Sequence, residues 1–117
     1  MLRSKGPLLS VDLETHSASE ENVDAVLESF IGGRGVGTKL AFDRIPFEAD
    51  PFGPENRLVF ATGPLQTSQM SFTGRTSVTG LSPLTDGLLS SNAGGFVSRH
   101  LADTGYSAVE LAGESDD

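Results

Sequence analysis

An α+β, β-rich fold is what this sequence predicts, and two observations carry that reading. Apolar residues alternate with polar ones in some segments and recur at helical spacing in others. The two patterns interleave without a regular strand–helix–strand rhythm, which argues against a doubly wound parallel sheet. The length of 117 residues is that of one domain, and an apolar share of 37% allows a core, though not a generous one.

The elements follow in order. Leu9, Val11 and Leu13 alternate with Ser10 and Asp12, so residues 8–13 read as a half-buried strand. Glu14 to Ser19 reads as a polar turn, with Ser17 and Glu20 spaced as a capping box. Val23, Val26, Leu27 and Phe30 then mark an amphipathic helix over about 20–31, ended by Gly32-Gly33. A second helix runs through Val36, Leu40 and Ala41 to Arg44, and Pro46 stops it. Asp50 to Asn56 is a turn-rich connector. Leu58-Val59-Phe60-Ala61 is a short buried strand, residues 74–80 are β-prone, and Ser82-Pro83 and Asp86-Gly87 mark turns. A helix is expected over 95–103 and a closing strand through Tyr106, Ala108, Val109 and Leu111, before an acidic end at 113–117.

Composition excludes several functions. Without cysteine, this chain cannot supply a disulfide, a zinc knuckle, a cysteine nucleophile or the ligands of an iron–sulfur cluster. A formal charge of −8 opposes binding of nucleic acid by bulk electrostatics. No stretch is long and apolar enough for a transmembrane helix, and Asp12 interrupts any signal-peptide core after Arg3 and Lys5. A cytoplasmic location with no membrane partner is the expectation. His16 and His100 lie too far apart for a spaced ligand pair and read as surface residues. The carboxylates read as spread along solvated faces, and Arg57 as one half of an exposed pair with Glu55.

Three features bear on binding. Residues 58–85 contain a single charge, Arg75, among small hydroxyls and glycines. A lone guanidinium in such surroundings suits an anion, and equally a surface arginine in a Thr-rich strand. Ser90-Ser91-Asn92-Ala93-Gly94-Gly95 precedes an expected helix, where free amides bind anions or simply cap the helix. Gly32-Gly33-Arg34-Gly35-Val36-Gly37 begins like a dinucleotide fingerprint. Thr38 stands where the third glycine belongs, and the run follows a helix, so a tight helix–helix turn is the preferred reading.

In sequence order, these segments resemble the N-terminal domain of the tungsten-dependent aldehyde ferredoxin oxidoreductases. The landmarks include Ile31 to Gly37, Asp50 to Asn56, Leu58 to Leu65, Thr73-Gly74-Arg75, Leu81 to Thr85, Ser91 to Phe96 and Gly105 to Val109. The resemblance implies a domain of two sheets with short helices holding a tungstopterin or molybdopterin (bis-pterin) cofactor. It implies that Arg75 contacts the pterin phosphate region, that Asn92 and Gly94 line the same site, and that Asn92 helps hold a magnesium ion bridging the phosphates. No residue of this chain is implied as catalytic. The family departs from this sequence at Gly80-Leu81 and at Asp86.

On this resemblance, residues 1–117 form the first part of the family's N-terminal domain. A strand–helix–helix unit spans 8–45, a connector 46–57 and a cofactor-side segment 58–113. The implied reaction is oxidation of a small aldehyde to a carboxylic acid, with ferredoxin as electron acceptor. A four-iron four-sulfur cluster is expected in a region downstream of this chain. The remaining part of the enzyme then acts as partner, in the same chain or a separate one, and the isolated chain is expected to be inactive. The other readings are a non-catalytic anion- or nucleotide-binding module and an inactive remnant of the family.

The charge balance also bears on stability. Sixteen carboxylates stand against eight cations, of which only Lys5 and Lys39 are lysines. That suits a halophilic protein, and an ordinary acidic one. The Debye length falls from about 10 Å at 0.1 M salt to about 3 Å at 1 M, so repulsion should be screened in molar salt. The halophilic reading predicts a melting temperature, followed by circular dichroism, that rises between 0.1 M and 2 M chloride. A flat or falling series contradicts it.

Overall fold

The strand and helix patterns build one layer of sheet with helices packed on it. The structure, a computed structural model, describes residues 6–71 and 73–116. Arg3, Lys5 and Asp117 lie outside them. Among the described residues, six strands form a single sheet: β1 Leu8–Asp12, β2 Ser17–Glu21, β3 Arg57–Ala61, β4 Thr76–Leu81, β5 Leu88–Ala93 and β6 Ala108–Ala112. Their order across the sheet is β2-β1-β6-β3-β4-β5, with β1 and β6 parallel and every other neighbouring pair antiparallel. Three helices complete it: α1 Asp24–Phe30, α2 Gly33–Arg44 and α3 Val97–Asp103. The α+β, β-rich class is the expected one, but the two sheets implied by the resemblance are corrected to one, because β6 pairs with both β1 and β3 and joins all six described strands into a continuous ladder.

Two expectations about single elements are also corrected. Residues 17–21 form β2 in a hairpin with β1, instead of a turn and a capping box. Helix α1 therefore starts only at Asp24, and its N-cap residue Val23 makes no side-chain cap bond. Residues 88–93 form β5, an edge strand, whereas the sequence expectation for Ser90 to Gly95 is only that they precede a helix.

The core lies between α1, α2 and one face of the sheet. Leu8, Ala108 and Ala61 align across three strands, and Leu27, Val36, Leu40 and Val59 close over them. Helix α2 packs on β3 and β4. Gly37 makes that approach possible, because a Cβ there would lie 2.7 Å from Thr79 Oγ1. Ile31, between α1 and α2, sits at φ 67° and ψ −54°, and the Gly32 amide donates to the Phe30 carbonyl across it at 2.7 Å. Such a γ-turn is strained for a β-branched residue, and it sets the sharp angle between the two helices. Residues of the opposite sheet face, among them Leu9, Val11, Phe60, Val78, Val109 and Leu111, are half-buried.

One carboxylate breaks the expectation of solvated acids. Glu110, at the centre of β6, is 0% exposed. Its Oε2 accepts from Arg44 Nη1 of α2 at 2.6 Å, and its Oε1 from Arg57 Nη1 of β3 at 2.5 Å. Ser10 Oγ of β1 donates to it at 3.4 Å. Arg44 also reaches Glu21 of β2 at 2.5 Å. Arg57 is thus committed to a buried acid and not to Glu55. Burial alone would lower the Arg44 pKa, but the hydrogen bonds and charges of Glu21 and Glu110 outweigh it and raise the pKa.

Removing one member of such a cluster leaves uncompensated charge. Breaking a buried pair typically costs about 3–5 kcal/mol. Glu110→Ala should fall near about 3 kcal/mol, because both guanidiniums keep some contact with water, and should lower the melting temperature by more than about 10 °C. Glu114→Ala, at an exposed position, should change stability by about 0.5 kcal/mol or less. Equal melting temperatures for the two variants would contradict the assignment.

Candidate functional site

The β4–β5 ladder brings the three expected binding residues to one end of the sheet. Its register pairs Thr76 with Ala93 and Ser77 with Asn92. Continued by one step, it sets Arg75 opposite Gly94, and by two, Gly74 opposite Gly95. The second juxtaposition is a close one, since a Cβ on Gly74 would stand 2.7 Å from the Gly95 carbonyl oxygen. Glycine at 74 is what lets the two strands of backbone meet there.

Arg75 is exposed and forms no ion pair among the described residues. Its backbone is not free. The Arg75 carbonyl accepts from Gln66 Nε2 at 3.2 Å and from Ser98 Oγ at 2.9 Å. Asn92 lies on the edge strand at the end of the row formed by Leu8, Ala108, Ala61 and Ser77. Behind it, Ser77 Oγ and Ser90 Oγ share a hydrogen bond at 2.9 Å, and Thr79 Oγ1 donates to Ser90 Oγ at 3.3 Å. These hydroxyls fix β5 against β4 without charge. Gly94 is open, because a Cβ there would meet nothing within 4 Å.

The sequence therefore marks Asn92 and Gly94, but the reason it suggests is corrected. They end a strand and do not sit at a helix N-terminus, since α3 begins only at Val97 and Phe96 is its N-cap. The Gly32–Gly37 run serves packing. Gly33 adopts φ 57° at the start of α2, and Gly37 meets Thr79. Gln66 and Ser98 went unmarked by the sequence, because isolated polar residues reveal their partners only through the fold.

Among the described residues, no group of three or more His, Asp or Glu is placed to hold a metal ion, and both histidines are exposed. A cavity of about 570 Å³ opens at the same end of the sheet between α1, α3 and the segment after β3. Its lining includes Thr62, Ile31, Asp103 and Tyr106 and contains none of Arg75, Asn92 and Gly94. Among the described residues, Asp103 is its one charged lining residue. Nearby, Tyr106 Oη donates to Glu20 at 2.6 Å, and that bond raises the phenol pKa.

What remains at the end of the ladder is a guanidinium without a counter-ion among the described residues, a side-chain amide and an unobstructed glycine. That donor set fits a phosphate-bearing group: the arginine offers a planar fork, and the glycine lets the ligand reach the backbone.

Comparison with known proteins shows the family of the chain. The family model described as "Aldehyde ferredoxin oxidoreductase, N-terminal domain" matches residues 8–117. The chain is 34% identical over 112 residues to a tungsten-containing aldehyde ferredoxin oxidoreductase of Pyrococcus abyssi, covering 95% of this chain and 18% of that protein. It is 32% identical over 119 residues to an aliphatic sulfonate oxidoreductase, WOR-like subunit, of Pyrococcus furiosus, covering 98% and 19%. Among solved structures, the active site complex BamBC of benzoyl coenzyme A reductase, in complex with 1,5-dienoyl-CoA, superposes with a TM-score of 0.92 at 34% identity, covering 97% of this chain and 18% of that one. The chain thus spans about a fifth of the length of the relatives it matches.

Proposed function

Because this chain belongs to the aldehyde ferredoxin oxidoreductase family, as its N-terminal domain, we propose that it supplies part of the cofactor cradle of a tungsten- or molybdenum-pterin oxidoreductase. The observation that carries this reading is the convergence of Arg75, Asn92 and Gly94 at one end of the β4–β5 ladder. Arg75 would hold a phosphate of the pterin through its guanidinium. Gly94 would let that phosphate approach the strand end, and Asn92 would help hold a magnesium ion beside it.

When bound, the metal–pterin group supplies two-electron redox chemistry, by which an aldehyde and water become a carboxylic acid while the electrons pass through an iron–sulfur cluster to ferredoxin. This chain's own residues do no bond-breaking in that account. They neutralise phosphate charge, orient the cofactor and keep it in place. The names of the relatives support such a division: they specify an aldehyde, an aliphatic sulfonate and benzoyl coenzyme A, while sharing this domain. On this reading the shared domain would hold the cofactor, and the choice of substrate would lie with other parts of the enzyme.

Magnesium pyrophosphate reproduces the two phosphates and the ion without the redox chemistry. Calorimetric titration of the full chain should show binding that Arg75→Ala weakens about tenfold or more, the scale of a lost charge-assisted bidentate contact. Lys39→Ala removes an exposed cation from α2, where it pairs with Asp43, and should leave the affinity unchanged. Equal affinity in wild type and Arg75→Ala would overturn the assignment of Arg75.

A further inference from the structure

Arg75 is exposed, yet its carbonyl is held by two hydrogen bonds. Two side chains from separate segments donate to its carbonyl: Gln66 from the loop after β3 and Ser98 from α3. Both are almost fully buried, at 5% and 0% exposure. A carbonyl oxygen has two lone pairs, and here both are engaged. The segments that carry these donors are themselves tied together. Arg99, next to Ser98, donates from Nε to the Gln66 carbonyl and from Nη2 to the Ser68 carbonyl, each at 3.3 Å. On the other side, Gly74 is pressed against Gly95.

Core stability does not explain Gln66. Its Oε1 is buried and has no hydrogen-bond partner among the described residues. An unsatisfied buried acceptor is unfavourable, and a methionine of similar length would fill the space without one. What the amide provides and the thioether cannot is the donor to Arg75.

We propose that Gln66 and Ser98 are positioning residues for Arg75, fixing the peptide plane that follows it and so the direction in which its side chain leaves the backbone. This rests on the reading of Arg75 as a phosphate ligand. Fixing that direction removes part of the ordering that anion binding would otherwise require, which raises affinity without adding a contact. Neither residue touches the anion.

The test uses the full chain, with magnesium pyrophosphate as probe and amide ¹⁵N relaxation as a measurement that needs no ligand. Gln66→Met and Ser98→Ala should each weaken pyrophosphate binding about three- to tenfold, the scale of one neutral hydrogen bond. In an Arg75→Ala background neither should weaken it further. Both should lower the ¹H–¹⁵N heteronuclear NOE at Gly74 and Arg75, and Gln66→Met should keep the wild-type melting temperature or raise it. Unchanged NOE values in Gln66→Met, or the same affinity loss with and without Arg75, would overturn the positioning role. Arg75→Ala binding as tightly as wild type would instead overturn the phosphate reading on which it rests, whatever the NOE values show. Should Ser98→Ala unfold, Gln66→Met alone decides.

Discussion

The buried carboxylate of Glu110 is the constraint on which the rest of the structure depends. It stands at the centre of the sheet and is met by guanidiniums from α2 and β3 and a hydroxyl from β1. A buried ion pair adds little net stability compared with well-packed apolar residues. What it contributes is register. Slipping β6 by one residue would turn Glu110 to the other face and leave Arg44 and Arg57 without their partner. The one arrangement that satisfies all three places β6 parallel to β1 and antiparallel to β3, and brings the C-terminal end of α2 onto the sheet. From that placement α2 runs back over Thr79 at Gly37, and so fixes β4, its ladder with β5, and the site at the end of it.

On the proposed reading, that site serves to hold a ligand. It offers one unpaired cation, an amide and an open glycine, with no histidine and no cluster of potential metal ligands among the described residues. A domain of this kind can serve enzymes with different substrates, because phosphate recognition is independent of the bond that is changed elsewhere. The shared fold with relatives named for aldehyde, sulfonate and benzoyl coenzyme A chemistry agrees with that division.

Much of the fold was legible in the sequence, and the misses have physical reasons. Strands β1, β3, β4 and β6 and helix α2 announce themselves through alternation, apolar runs and helical spacing. Strands β2 and β5 do not. Both are edge strands, Ser-Ala-Ser-Glu-Glu and Leu-Leu-Ser-Ser-Asn-Ala, largely exposed, so burial imposes no alternating pattern on them. Arg75 was legible through the absence of other charges around it. Asn92 and Gly94 were marked for a helix that starts later. Glu110 carried a signal that went unread: it alternates with Val109 and Leu111 and shares a face with Ala108 and Ala112 on a strand otherwise apolar, which places a charge on the inward face. Gln66 and Ser98 carried none, because their role lies in a carbonyl far along the chain.

The central claim is that the end of the β4–β5 ladder is a phosphate site. Amide chemical-shift mapping of the ¹⁵N-labelled chain with magnesium pyrophosphate tests it most directly. The account predicts that the largest perturbations fall on Gly74, Arg75, Asn92 and Gly94, with smaller ones at Thr76 and Gly95. Perturbations centred instead on the cations of α2, Arg34 and Lys39, with residues 74–75 and 92–94 unmoved, would contradict it.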